Sequence, residues 1–233
     1  MKKIAPFILQ GKYRRKALPV LAPVKGHDNS TPRKVKEALF QMVENQISSY
    51  ERAIFYDLFA GSGQMGMEAI SRGAFYTCFY EIDRIRFSNI LQWLLQNSES
   101  APFQLKRQDA FRQLPKILQT IPTLREGDSE KELSPLEELS GFDLVIFADP
   151  PYRSRPGEAA PPVTLLKSFF STPEILPVRK ALLFIQCPSE KSGLYRHETA
   201  LEDKKELQAW LQKEEITVHD YGNHRIISAF RES

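Results

Sequence analysis

Cysteine, histidine and long apolar runs are all scarce in this 233-residue chain, and each scarcity removes a class of function. The two cysteines, Cys78 and Cys187, lie inside apolar runs, so they read as buried thiols rather than a disulfide framework or a zinc site. The four histidines (His27, His197, His219 and His224) show no metal-ligand spacing, and no metal is expected. No apolar run reaches the roughly 20 residues that a membrane span requires. The opening Met1-Lys2-Lys3-Ile4-Ala5-Pro6-Phe7 meets Pro6 and then Gln10 too early for a signal-peptide core, so a soluble cytoplasmic protein is expected.

Positive charge is present but concentrated. Residues 1–36 hold ten Lys and Arg against Asp28 alone, a local balance of +9, whereas the remainder carries 22 basic and 28 acidic residues. A cationic arm on an acidic body points to contact with a polyanion, and equally to a solvated tail. Residues 1–30 read as a basic arm or small hairpin. The run Gly11-Lys12-Tyr13-Arg14-Arg15-Lys16 sits at its turn, between Phe7-Ile8-Leu9 and Leu18-Pro19-Val20-Leu21.

Residues 31–233 read as one α/β domain. Thr31 is placed to cap a first helix with Pro32 in its first turn and Val35, Ala38, Leu39, Met42 and Val43 on its apolar face. Strands are then predicted at 53–58, 75–80, 103–107, 142–148 and 181–186. Helices are predicted at 64–72, 84–96, 114–121, 163–170 and 201–213. The helix at 84–96 is expected to bury Phe87, Ile90, Leu91, Leu94 and Leu95, and residues 122–140 read as a solvent loop. Two last strands, 216–218 and 226–230, flank the hairpin signal Tyr221-Gly222-Asn223. Alternating strands and helices imply an open, mostly parallel sheet.

Two constellations carry chemistry. Asp57-Leu58-Phe59-Ala60-Gly61-Ser62-Gly63-Gln64-Met65-Gly66 follows the first strand, at the sheet edge where ligands bind in such folds. Its glycines match the dinucleotide fingerprint, but Asp57 before them suits the ammonium of an amino-acid moiety better than a pyrophosphate. Glu81 ends the second strand, placed for ribose hydroxyls, and Asp109 follows the third, where an adenine amino group would lie. Three acids on successive strand ends fit an uncharged nucleoside with a zwitterionic tail, which is S-adenosylmethionine.

The second constellation is Asp149-Pro150-Pro151-Tyr152, after the fourth strand. The exocyclic amine of a base is a poor nucleophile because its lone pair is delocalised into the ring. Asp149 can accept one N–H and the Pro150 carbonyl another, which turns the lone pair toward an electrophilic methyl. Pro150 and Pro151 stiffen the loop, and Tyr152 offers a ring on which the base can stack.

Taken in order, these motifs resemble the amino-methyltransferases of Rossmann-like fold, and more narrowly the RsmD family of small-subunit ribosomal RNA guanine-N2 methyltransferases. The matching residues are Gly11 to Arg14, Thr31 to Phe40, Asp57 to Gly73, Glu81 to Arg84, Phe142 to Tyr152 and Tyr221-Gly222. The resemblance implies a class I methyltransferase fold with a seven-stranded sheet. It also implies methylation of guanine 966 of 16S ribosomal RNA, free or in a small-subunit particle, by a monomer using S-adenosylmethionine. By this likeness Asp57, Phe59, Ala60, Gly61, Gly63, Glu81, Ile82, Asp109, Ala110 and Asp149 would contact the cofactor. Asp149 to Tyr152 would form the amine site, and Lys12, Arg14, Arg15, Lys16, Thr31 and Arg33 would meet RNA.

The chain departs from the family pattern at Gln10-Gly11, where a glycine pair is usual, and at Asn29-Ser30, where an arginine is common. It departs again at Gln186, where the family carries an acid, and in the length of 122–140. Three other readings stand beside this one. A DNA adenine-N6 methyltransferase would share the Asp-Pro-Pro-Tyr chemistry but needs a recognition domain for which the length leaves little room. A non-catalytic RNA-binding assembly factor would need only the basic arm. A nicotinamide-dependent oxidoreductase lacks a Tyr-Lys or His-Asp hydride-transfer set.

Overall fold

In the computed structural model, residues 6–19, 31–97, 102–120, 123–126, 129–132, 136–151, 160–189 and 205–232 are described. Strands β1 (Ala53–Leu58), β2 (Tyr76–Tyr80) and β3 (Phe103–Lys106) alternate with helices α1 (Arg33–Glu44), α2 (Gln64–Arg72) and α3 (Arg84–Asn97). After α4 (Leu114–Gln119) come a two-stranded ribbon, β4 (Thr123–Glu126) and β5 (Ser129–Glu132), and then β6 (Asp143–Ala148). Helix α5 (Pro161–Ser171), β7 (Lys180–Pro188), a short helix at 205–210, β8 (Ile216–Tyr221) and β9 (His224–Arg231) complete the chain. The seven-stranded sheet has the order β3-β2-β1-β6-β7-β9-β8. It is parallel except where β9 runs antiparallel to both β7 and β8. This is the Rossmann-like α/β arrangement.

Every residue of β1 and β6 is buried, because both faces of these central strands are covered. Side chains alternate across the sheet. Ile54, Tyr56 and Leu58 join Leu144 and Ile146 in a core closed by α4 and α5. Phe55 joins Val145, Phe147 and Phe184 in a second core closed by α1 and α2.

Residues 6–18 fold back on themselves. Phe7 and Ala17 form an antiparallel bridge, the Ile8 N–H donates to Lys16 O (3.0 Å), and the Arg15 N–H to Ile8 O (2.8 Å). The basic run occupies the turn. This hairpin docks on α2: the Lys12 N–H donates to Ser71 O (2.7 Å) and the Tyr13 N–H to Ser71 Oγ (2.9 Å). Gly11 is needed there, since its φ is +83° and a Cβ would sit 1.7 Å from Ser71 O.

Strand β1 and helix α2 begin and end where the sequence predicts, and Gly73 is the left-handed C-cap of α2. Five expectations change. Thr31 does not cap α1; Pro32 holds the N-cap position, its carbonyl accepting the Lys36 N–H at 3.0 Å, with no side-chain cap. On the same helix Lys36 and Phe40 are buried, whereas Ala38 and Met42 are only half-buried. Leu95 of α3 is 70% exposed and Trp93 is buried instead. The hairpin causes this, because its Ala17 carbonyl accepts the Trp93 indole N–H at 2.8 Å and draws that side of α3 inward. The segment 122–140 is not simply a loop: it contains the β4–β5 ribbon and a 3₁₀ turn, Leu136–Gly141. Residues 211–215 form turns rather than the predicted end of a helix.

Candidate active site

The turn after β1 is built from left-handed backbone. Phe59 (φ 61°), Gly61 (φ 58°) and Gly63 (φ 73°) all lie in a region that costs a bulky residue energy, so Phe59 is held there by its surroundings. Those surroundings are visible. The Ala60 N–H donates to Tyr80 O (2.9 Å), the Gly61 N–H to Glu81 Oε2 (2.7 Å), and the Gly63 N–H to Ala60 O (2.7 Å). The Phe59 ring meets Phe111 edge-on at 4.7 Å. Gly63 is the N-cap of α2. Three residues on, Gly66 lets the helix press against β2, where a Cβ would come within 2.2 Å of the Phe79 ring.

Asp57 is 1% exposed. Its Oδ2 accepts the Gly66 N–H at 2.9 Å, while Oδ1 is buried without a hydrogen-bond partner. Burial pushes this carboxyl well above the usual carboxylate range; the Gly66 N–H opposes that, and the nearby Asp149 and Glu81 add to it. A cation at Oδ1 would satisfy the orphan oxygen and reverse the shift. Glu81, also buried, braces the turn through Gly61 and accepts the Asp83 N–H at 2.8 Å through its other oxygen. Asp109 caps the 3₁₀ turn Ala110–Arg112 through the Phe111 N–H at 3.1 Å. Beside these acids Ile82 is exposed and Ala110 buried.

Leu58 and Ala148 are paired in register, so the glycine turn and the Asp149-Pro150 turn leave neighbouring strands at one end of the sheet. Asp149 is half-buried, Pro150 buried and Pro151 exposed; Tyr152 lies outside the described residues. The Gln186 side-chain N–H donates to Asp149 Oδ2 at 3.2 Å. The edge therefore gathers Asp57, Phe59, Ala60, Gly61, Gly63, Glu81, Ile82 and Asp149, with Asp109 and Ala110 following the outermost strand, β3.

The predicted RNA contacts are elsewhere. Lys12, Arg14, Arg15 and Lys16 ride on the C-terminal end of α2, the end away from the glycine turn. The Lys12 and Lys16 ammonium groups lie 5.3 and 5.5 Å from the Tyr13 ring centre. Arg33 is exposed and paired with Glu37 at 2.7 Å, and Thr31 is buried.

Sequence reasoning missed a buried charge cluster that holds the hairpin in place. Glu68, fully buried, accepts the Leu9 (2.7 Å) and Gln10 (2.9 Å) N–H groups, the Arg72 Nε–H (3.1 Å) and an ion pair with Lys36 (3.2 Å). Lys36 also donates to Phe7 O at 2.8 Å, and Arg72 pairs with Glu44. Only the spacing of Glu68 and Arg72, four apart on one helix, signals it.

A curated relative, the uncharacterized methylase RP545 of Rickettsia prowazekii, is 33% identical over 82 residues. That match covers 33% of this chain and about a third, 34%, of the relative's length. A solved structure named as a candidate methyltransferase, yhhF from Escherichia coli, superimposes with a TM-score of 0.59 at 20% identity, covering 97% of this chain and 98% of that one. SMU.776, a candidate methyltransferase solved with SAH, gives 0.51 at 15% identity over 85% of this chain and 48% of that one. These superpositions establish the fold. Residues 7–206 match the family model described as conserved hypothetical protein 95, and the chain belongs to that RsmD-like methyltransferase family.

Proposed function

We propose that this edge binds S-adenosylmethionine and that the chain methylates an exocyclic amine of a ribosomal RNA base, guanine N2 at position 966 of 16S ribosomal RNA, as a cytoplasmic monomer. The observation that carries the reading is the orphan Asp57 Oδ1, buried beside a left-handed glycine turn and next to the strand that leads into Asp149-Pro150. The bound cofactor supplies a methyl group on a positively charged sulfur. Asp57 would hold its ammonium, Glu81 its ribose and Asp109 its adenine amino group. Phe59, Ala60, Gly61, Gly63, Ile82 and Ala110 would line the contact. The SAH bound by SMU.776, a protein of the same fold, supports this assignment.

Asp149 and the Pro150 carbonyl would each accept one N–H of the target amine, aiming its lone pair and stabilising the positive charge that grows on nitrogen. Tyr152 would stack on the base. Pro151, with no N–H and a fixed φ, stiffens the turn that presents the carbonyl. The cationic hairpin would grip phosphates of the surrounding RNA.

The test is transfer of tritiated methyl to unmodified 16S ribosomal RNA, to small-subunit particles assembled on it, and to duplex DNA. Label on RNA or particle is expected, with Asp149→Ala reducing transfer about 10²–10³-fold, as for loss of a group aimed at developing charge. Label on duplex DNA alone would replace RNA as substrate. Tight cofactor binding without transfer to any of them would make the chain a binding factor.

A further inference from the structure

Gln186 stands where β7 meets the amine site. Its side chain is 1% exposed, and its backbone is fixed on one side by Ile226 of β9. On the other side the β6–β7 register pairs Ala148 with Ile185, which sets Gln186 beside Asp149. The Gln186 Nε2–H then reaches Asp149 Oδ2 at 3.2 Å. A donor on a strand held from both sides has little freedom to follow a moving carboxylate, so it sets the plane of that carboxylate.

Among the described residues, the charged and titratable groups beside this pair are Asp57 on β1, Cys187 on β7, and the Arg225–Asp220 pair on β9 and β8. Arg225 is occupied in a two-pronged contact with Asp220 at 2.7 and 3.0 Å. Burial pushes the Cys187 thiol up to about 12, so it stays neutral. Asp57 is an acid, and its charge and that of Asp149 oppose each other. An N–H donated to a carboxylate favours its charged form. A carboxyl at position 186 could make the same contact only by keeping a proton between the two acids.

We propose that Gln186 is a positioning residue: it orients the Asp149 carboxylate toward the target amine and keeps it an acceptor without adding charge to an already acidic edge. This rests on the role proposed for Asp149, and the experiment separates the two. Carbon-13 titration of the Asp149 carboxyl needs no substrate. Its midpoint is expected to move upward in both Gln186→Ala and Gln186→Glu. With small-subunit particles assembled on unmodified 16S ribosomal RNA, Gln186→Ala is expected to lower kcat roughly tenfold, the worth of about one hydrogen bond. The acid limb of the kcat/KM profile is expected to shift upward in Gln186→Glu, with S-adenosylmethionine affinity held within about twofold in both variants. An unmoved titration midpoint and an unmoved acid limb would overturn the proposal. Wild-type transfer by Asp149→Ala would instead remove Asp149 from the chemistry, while the titration still decides whether Gln186 governs its charge.

Discussion

Asp57 shows how one buried atom can link fold and ligand. Its carboxyl holds a proton more tightly in the fold than in the unfolded chain, chiefly because burial disfavours the anion. The group's contribution to stability is therefore lost as pH rises from the ordinary carboxylate range through the raised folded value. A ligand ammonium at Oδ1 favours the anion, so binding should expel the proton. S-adenosylhomocysteine affinity is expected to rise with pH across the mildly acidic range, and calorimetry in buffers of different ionisation heat should register proton release. Asp57→Asn should flatten both and weaken binding; a wild-type affinity that ignores pH would count against the ammonium role. Gly66 sets a different constraint. Gly66→Ala drives a methyl into the buried Phe79 ring, and urea unfolding should show a loss of about 1–3 kcal/mol, as for an overpacked core.

Among the elements, the N-terminal hairpin depends most on partners remote in sequence. Glu68 is the hub: its removal leaves Lys36 and Arg72 as buried cations and two backbone N–H groups unpaired. Glu68→Ala is expected to cost about 3–5 kcal/mol, the range for breaking a buried pair from one side. Hydrogen exchange should show residues 8–18 losing protection before the sheet does. Equal loss of protection throughout would mean that the hairpin is not a separate unit. The same hub marks where sequence reading reached its limit. Strand β1, helix α2 and the Gly73 stop were legible because apolar periodicity and glycine punctuation act locally. Asp57, the glycine turn and Asp149-Pro150 were legible because strand ends in such sheets share an edge. Lys36 was not, because a lysine on a helix reads as solvent-facing until its buried partner is known. The burial of Trp93 in place of Leu95 was hidden for a like reason: the element that covers it lies some 75 residues earlier. The β4–β5 ribbon escaped because its strands are too polar to alternate.

For the molecule as a whole, charge and chemistry are separated. The acids gather at the carboxyl ends of the parallel strands, and Lys12, Arg14, Arg15 and Lys16 sit on the hairpin turn. Replacing Arg14, Arg15 and Lys16 with Gln should weaken binding of 16S ribosomal RNA and reduce the salt dependence of log K by about two, at roughly 0.7 per single-strand phosphate contact. Cofactor affinity should not change. Equal loss of both would refute a docking role. Ser71, which anchors the turn, lies seven residues along α2 from Gln64, an axial distance of about 10 Å at 1.5 Å per residue. The hairpin, if it grips RNA as proposed, would thus act as a ruler: a polymer clasped there would reach the carboxylates only with a stretch that also covers this rise.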